Sequence, residues 1–205
     1  GHAIMALGRY ALDFGLVVKG PEETTVKIQC PCGLVTANVD THEGITGRVS
    51  FESVPAFAYK LGQFVETREY GPVEVDIGYG GAFYGILNAA SLGLDVLNSK
   101  TRDLAAAVTI VSTAIKEQIK ITHPEEPDLG YLYGTILTDG ELGNEGKPSA
   151  NICVFADEQV DRSPTGSGVT ARMAIASARK AIGTGEICQF KSVTGAPLGG
   201  GFLLD

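Results

Sequence analysis

The sequence predicts an α+β protein made of two similar halves, each with short strands around a central helix. The first observation is the segment GHAIMALGRYA at residues 1–11, which has the pattern of a helix rich in small residues. The second is TGSGVTARMAIAS at residues 165–177, a similar helix that follows a glycine-bearing loop. Each helix carries an arginine, Arg9 or Arg172, and lies among alternating strand patterns. We therefore expect two pseudo-equivalent lobes.

The elements of the first half follow from periodicity. Apolar positions at helical spacing cover residues 2–14 and end at Gly15, with so little charge that the helix is expected to be largely buried. Alternating patterns between residues 24 and 57 predict three strands, TVKIQC, LVTANV and GRVSFESV. Residues 73–87 predict a strand, a glycine turn and a second strand.

The second half has a similar mixture of elements. Residues 101–119 predict an amphipathic helix, and YLYGTILTD and ANICVFADEQ predict strands on either side of a loop. The second small-residue helix is predicted over residues 168–182, and the final segment, GAPLGGGFLLD, is too rich in glycine to form an element of its own. The expected division is a first lobe at 1–72, a second lobe at 73–192 and a tail at 193–205.

The composition favours a globular protein that binds neither nucleic acid nor membranes. Of 205 residues, 44% are hydrophobic and 20% charged, and the formal net charge is −8. An acidic chain without a lysine or arginine cluster lacks the basic surface that phosphate backbones require. No apolar run is long enough to cross a bilayer. The pair Cys30 and Cys32 has no second ligand pair for zinc, so we expect reduced thiols in a cytoplasmic protein.

Two helix starts carry candidate anion-binding groups. The first N–H groups of a helix have no helical partner, and the helix dipole adds positive charge there. Gly1 and His2 at one start, and Gly166 and Ser167 at the other, can therefore hold a carboxylate or a phosphate. Ordinary capped helix starts explain the same residues, and the sequence leaves the choice open. The stretch GYGGAFYG at 78–85 lacks a following G-K-[ST], so we interpret it as a tight turn.

The stretch DRSPTGSGVTARMA, residues 161–174, places an acid, a base and a hydroxyl before the second small-residue helix. Asp161 can hold an ammonium group, and Thr165 can donate or accept a hydrogen bond. Alternatively, Asp161 and Arg162 form a surface turn that Pro164 fixes ahead of the helix. The spacing by itself names no reaction.

Three segments together resemble the proline racemase superfamily: GHAIMALGRYALDFG, DIGYGGAFYG and DRSPTGSGVTARMA, in that order. The resemblance extends from residue 1 to about residue 192 and is closest to the branch of trans-3-hydroxy-L-proline dehydratases. It implies a fold of the diaminopimelate-epimerase type, in which two pseudo-symmetric lobes enclose a cleft. We expect this fold to be truncated at both ends here.

The resemblance also implies chemistry without pyridoxal phosphate, a metal or any other cofactor. Racemases and epimerases of the superfamily use two cysteines on opposite faces of the α-carbon. The first would directly precede Gly1, and Thr165 stands in the place of the second. Because a threonine hydroxyl is far less acidic than a thiol, two-base inversion is not expected. One base would instead remove the α-proton of trans-3-hydroxy-L-proline, and loss of the β-hydroxyl would give Δ1-pyrroline-2-carboxylate.

The resemblance assigns roles to individual residues. Thr165 is the expected catalytic residue, in contact with the leaving 3-hydroxyl or the ring. Backbone groups at the helix starts would bind the substrate carboxylate, the acid would engage the ring amine, and an aromatic residue would line the apolar wall. The expected substrate-binding residues are Gly1, His2, Phe155, Asp161, Gly166 and Ser167. No metal ligand is expected, and a homodimer is the expected assembly.

Two alternatives stay open on the sequence. A 4-hydroxyproline epimerase or proline racemase fits the motifs apart from Thr165. A non-catalytic truncated isoform fits the two ends of the chain, since Gly1 would directly follow the catalytic cysteine and PLGGGFLLD replaces expected strands. We therefore expect a fragment whose parent is a hydro-lyase and which is itself inactive or nearly so.

Overall fold

The computed structural model describes residues 1–144 and 146–201. Contacts divide the chain into two compact units, Gly1–Pro55 and Ala56–Asp205. Within the described residues, no helix is both long enough and apolar enough to span a lipid bilayer.

The first unit packs one helix against an antiparallel sheet. Its elements are α1 (His2–Asp13), β1 (Glu23–Cys30), β2 (Gly33–His42) and β3 (Ile45–Glu52). The strands pair in the order β1-β2-β3. Gly8 lets α1 approach the sheet closely, because a Cβ there would lie 3.0 Å from the Cβ of Ala37 on β2.

The prediction that the first helix is largely buried is wrong. The buried face of α1 consists of Ile4, Gly8, Ala11 and Leu12. On the other face Leu7 and Tyr10 are about half exposed, at 50% and 49%. The sheet of the first unit contacts one side of the helix, so apolar residues on the opposite side are not covered by that sheet.

The second unit is a larger mixed sheet with two long helices. Its elements are β4 (Phe57–Thr67), β5 (Gly71–Tyr79), β6 (Phe83–Asn88), α2 (Thr101–Gln118), β7 (Leu132–Thr138), β8 (Ser149–Phe155), β9 (Gln159–Val160), α3 (Gly166–Ala178), β10 (Ile187–Ser192) and β11 (Pro197–Gly201). The described strands are ordered β11-β10-β8-β7-β6-β5-β4, and β9 pairs with β8. The pairs β6–β7 and β8–β10 are parallel, whereas the others are antiparallel.

The two long helices lie on opposite faces of this sheet. On β6, the hydroxyl of Tyr84 lies 2.7 Å from the Oγ of Ser167 on α3. The next residue, Gly85, faces α2, since a Cβ there would lie 2.5 Å from the Cδ1 of Ile115. Successive residues of a strand point to opposite faces, so α2 and α3 cover the two sides of the sheet.

The structure places the unit boundary earlier than the predicted residue 72. That position lies inside the hairpin of β4 and β5, where Glu66 pairs with Pro72. β4 was not predicted because its first seven residues are all half-buried and show no alternation. Its pairing with β5 is also irregular around Gly62, which has a φ of +60°.

The expectation that the glycine-rich tail forms no element is wrong for residues 197–201. This segment is β11, which pairs antiparallel with β10 from Pro197 opposite Lys191 to Gly201 opposite Ile187. Hydrogen bonding to an existing strand overrides the low strand propensity of glycine. Residues 202–205 of the same segment lie outside the described residues.

Candidate active site

A short loop between β9 and α3 holds the central residues of the candidate site. Asp161 Oδ1 accepts a hydrogen bond from the Ser163 N–H at 2.8 Å, and Asp161 Oδ2 accepts one from the Thr165 hydroxyl at 2.9 Å. The Thr165 N–H donates to Ser163 Oγ at 3.1 Å. The Asp161 N–H donates to the carbonyl of Cys153 on β8 at 2.9 Å. The Asp161 carboxylate therefore holds two residues of the loop, Ser163 and Thr165.

Thr165 has an unfavourable backbone conformation. Its φ is +66° and its ψ is +90°, and only 4% of its surface is exposed. A β-branched residue rarely adopts a positive φ, and such a conformation costs on the order of 1–3 kcal/mol. Its methyl group packs beside Gly168, where a Cβ would lie 3.0 Å from Thr165 Cγ2. The hydroxyl is thereby held toward Asp161.

Helix α3 begins immediately after Thr165, two residues before its predicted start. Its first helical hydrogen bond runs from the Val169 N–H to the Thr165 carbonyl, at 2.7 Å. The N–H groups of Gly166, Ser167 and Gly168 precede that bond, so none of them has a partner in the helical ladder. This geometry suits an anion, and anion binding here stays a prediction.

The glycines of residues 78–85 bring α3 close to the sheet. A Cβ on Gly80 would overlap the carbonyl oxygen of Ser167 and would lie 2.6 Å from the nitrogen of Ala171. Gly80 also begins the turn between β5 and β6, where its N–H donates to Ala82 at 3.1 Å. The tight-turn interpretation of this stretch is confirmed. The turn also sets the position of the α3 start.

Three aromatic rings continue from the α3 start along the sheet. Phe155, at the end of β8, stacks on Tyr133 with ring centroids 5.3 Å apart. Tyr133 meets the edge of Tyr84 at 5.6 Å, and Tyr84 contacts Ser167. Tyr133 and Tyr84 were not predicted as site residues. Tyr133 could have been found from the sequence, because it is an aromatic residue on the exposed side of a strand, next to the buried Leu132.

Burial keeps the neighbouring thiol and phenols neutral. Burial raises the pKa of the Cys153 thiol to about 12; the Asp161 charge raises it as well, and a hydrogen bond with Thr165 opposes the rise. Burial is also the main cause of the raised pKa values of Tyr84 and Tyr133. At neutral pH, Cys153 is therefore a thiol and is unsuited to act as a base.

The sequence matches a known protein family over nearly its whole length. The model of the family described as proline racemase matches residues 1–203. The chain belongs to the proline racemase family. Its resemblance to that family, predicted from three sequence segments, is confirmed.

A relative of known name is similar in sequence to most of this chain. The chain is 54% identical over 194 residues to a Xenopus tropicalis protein named trans-L-3-hydroxyproline dehydratase. The matched region covers 94% of this chain and 56% of the relative. The chain thus spans about half the length of the curated relatives it matches.

The solved structures confirm the predicted α+β fold class of the proline racemase family. A probable proline racemase from Agrobacterium radiobacter K84, with bound carbonate, has a TM-score of 0.92 at 24% identity, covering 99% of this chain and 59% of the other. A hydroxyproline epimerase from Agrobacterium vitis, with bound trans-4-OH-L-proline, has a TM-score of 0.90 at 25% identity, covering 98% and 57%.

The second unit of this proline racemase family member brings five predicted site residues into one connected region. They are Phe155, Asp161, Thr165, Gly166 and Ser167. The other two lie in the first unit: Gly1 is the N-cap of α1, and His2 is its exposed first residue. Their role in carboxylate binding stays a prediction. Among the described residues, no group of three or more His, Cys, Asp or Glu side chains is placed to hold a metal ion.

Proposed function

We propose that the full-length protein is a hydro-lyase that converts trans-3-hydroxy-L-proline to Δ1-pyrroline-2-carboxylate. The observation that carries the proposal is the Thr165 hydroxyl, fixed 2.9 Å from Asp161 Oδ2 at the position expected for a second catalytic cysteine. The 54% identity to a relative named as a dehydratase supports the same reaction.

The proposed reaction is an elimination from the pyrrolidine ring. A base removes the α-proton, the C–H electron pair forms a double bond to the β-carbon, and the bond to the 3-hydroxyl breaks. The hydroxyl leaves with a proton as water, and the enamine tautomerises to the cyclic imine. This sequence requires one base, one proton for the leaving group and no cofactor.

The residues of the second unit have matching roles in this proposal. Asp161 holds the ring ammonium, and the N–H groups of Gly166 and Ser167 bind the carboxylate. Negative charge grows on the carboxylate side as the α-proton leaves, and preorganised N–H donors stabilise such charge most in the transition state. Thr165 contacts the 3-hydroxyl. Phe155 forms the apolar wall beside the carbon atoms of the ring.

We further propose a cytoplasmic homodimer. All four cysteines are free in the structure, which fits a reducing compartment. The dimer rests on the family resemblance and is tested by the molar mass of the full-length protein in solution.

The deciding experiment follows trans-3-hydroxy-L-proline by NMR in D2O with the full-length protein. We expect loss of the 3-hydroxyl and formation of Δ1-pyrroline-2-carboxylate. An inverted, deuterated amino acid that keeps its hydroxyl would instead identify an epimerase or racemase, the alternative that the Agrobacterium vitis neighbour represents.

Substitutions at position 165 separate the hydroxyl from the shape of the side chain. Thr165→Val keeps the β-branch but loses the hydrogen bond to Asp161, and we expect kcat to fall at least about 100-fold. Thr113→Val is the matched control, since Thr113 lies exposed on α2 and its hydroxyl donates to the carbonyl of Thr109. Thr165→Cys restores a thiol, and we expect it to introduce α-proton exchange with inversion.

The 205-residue chain can be tested separately for binding. Calorimetric titration with pyrrole-2-carboxylate, a planar mimic of the deprotonated substrate, reports binding without turnover.

A further inference from the structure

The guanidinium group of Arg172 is connected through Asn151 to the loop that carries the candidate catalytic threonine. Arg172 extends from α3 to β8, where its Nη1 donates to Asn151 Oδ1 at 2.9 Å and its Nη2 donates to Ser149 Oγ at 2.7 Å. Both β8 side chains are fully buried, at 0% exposure. The guanidinium carbon also lies 4.6 Å from the centre of the Phe190 ring. The arginine is therefore held by side chains from two strands.

The direction of each hydrogen bond in this cluster is fixed by charge. Removal from water lowers the pKa of Arg172 to about 10, and the Asp139 carboxylate opposes that change. The guanidinium therefore stays protonated at neutral pH and can only donate. Asp139 accepts from Ser149 Oγ at 2.8 Å and from the Ala150 N–H at 2.6 Å. Ser149 accordingly accepts from Arg172 and donates to Asp139.

Asn151 connects the guanidinium group of Arg172 to the loop, and the bond to Arg172 fixes how the Asn151 amide is turned. Because Arg172 can only donate, it bonds to the oxygen of the Asn151 amide, which turns the amide nitrogen in the other direction. That nitrogen, Nδ2, donates to the carbonyl of Pro164 at 3.2 Å. The Pro164 carbonyl belongs to the peptide bond that enters Thr165, and proline has no N–H of its own to bond.

We propose that Arg172 and Asn151 are positioning residues that hold Thr165 in its left-handed conformation. Asp161 restrains the Thr165 side chain, whereas Asn151 restrains the peptide group before it. Arg172 acts through Asn151 by fixing which end of the amide faces the loop. The catalytic consequence rests on the proposed dehydratase function, but the effect on the loop does not.

Asn151→Asp in the full-length protein breaks the second link while keeping the first. A carboxylate of the same shape still accepts from Arg172, but it cannot donate to the Pro164 carbonyl. Asn88→Asp is the matched control: it adds the same charge at an exposed position where the side-chain oxygen caps the Ala90 N–H, which aspartate can also do.

We expect Asn151→Asp to lower kcat for dehydration by roughly 10- to 100-fold. The KM and the affinity for pyrrole-2-carboxylate should stay within about threefold, because the N–H groups of the α3 start remain. A residue that only supports the fold would lower the amount of active enzyme and would leave the kcat of the active fraction unchanged. Asn88→Asp should match the wild-type protein in every measurement.

Amide hydrogen exchange tests the effect on the loop independently of activity. In Asn151→Asp we expect exchange across residues 162–166 to become at least about tenfold faster, with α2 unchanged. Unchanged exchange in the loop would overturn the proposal, whatever the activity. Faster exchange with an unchanged kcat would overturn its catalytic part. If the wild-type protein does not dehydrate the substrate, the proposed function fails and exchange alone decides the positioning role.

Discussion

The close contact between Gly80 and the start of α3 is tested by Gly80→Ala. The φ angle of Gly80 lies outside the left-handed region, so alanine there carries no positive-φ strain. An added Cβ would overlap the carbonyl oxygen of Ser167 and approach the nitrogen of Ala171 to 2.6 Å. Both are backbone atoms, so neither can move aside by a side-chain rotation.

The expected free energy follows from two opposing effects. Alanine in place of an unstrained glycine usually stabilises by about 0.4–1 kcal/mol, because it restricts the unfolded chain. Gly183→Ala is the matched control, since a Cβ there meets nothing within 4 Å. At Gly80, overpacking costs about 1–3 kcal/mol, and contact with backbone atoms favours the upper end. We therefore expect a net loss of about 2 kcal/mol at Gly80 and a small gain at Gly183.

Urea denaturation measures both variants on the same scale. With a slope of about 2 kcal/mol per M, the midpoint should fall by about 1 M for Gly80→Ala. It should rise by a few tenths of that amount for Gly183→Ala. A Gly80→Ala variant as stable as the wild-type protein would show that α3 does not lie against this turn.

Three further predictions use the same denaturation assay. Burial raises the pKa of Cys153 from 9.0 to about 12, so the native state holds this proton more tightly than the unfolded chain. The contribution of the protonated thiol to the free energy of unfolding is therefore complete below pH 9.0 and is lost as the pH rises toward about 12. Above about pH 9, the stability of Cys153→Ala should consequently fall less steeply with pH than that of the wild-type protein. Tyr84→Phe removes a buried hydroxyl 2.7 Å from Ser167 Oγ and should cost about 0.5–1.5 kcal/mol; an unchanged midpoint would contradict that contact. Arg179→Ala removes a half-exposed ion pair with Asp76 and should cost at most about 1 kcal/mol, a difference that disappears in about 1 M salt.

The position of α3 shows how far the sequence predicts an element and where tertiary packing takes over. The sequence pattern predicted a helix from residue 168, two residues after Gly166 and one after Ser167, both of which are weak helix formers. The helix begins at Gly166 all the same, since Ser167 is held by Tyr84 and packs on the glycine turn. β4 and β11 were missed for a related reason: their pairing with other strands, not their own residues, makes them strands.

The predicted residues of the candidate site came from resemblance to a family, and most of them lie in one motif. Asp161, Thr165 and the glycines around them lie within one short segment, so sequence resemblance identified them together. The contact between Arg172 and Asn151 joins residues 21 positions apart on different elements. No local pattern reports which end of a buried amide faces a loop, and that orientation follows only once β8 and α3 are packed together.

The positive φ angle of Thr165 indicates that the loop is built to hold the threonine hydroxyl in place. A glycine at position 165 would adopt the same φ of +66° without steric cost. The threonine is instead restrained at three points: Asp161 bonds to its hydroxyl, Asn151 bonds to the carbonyl of the peptide group before it, and its methyl group packs beside Gly168. An unfavourable backbone conformation persists only where the surroundings over-determine it. Glycine would remove the strain and the hydroxyl together, so the placement of that hydroxyl is what these three restraints retain.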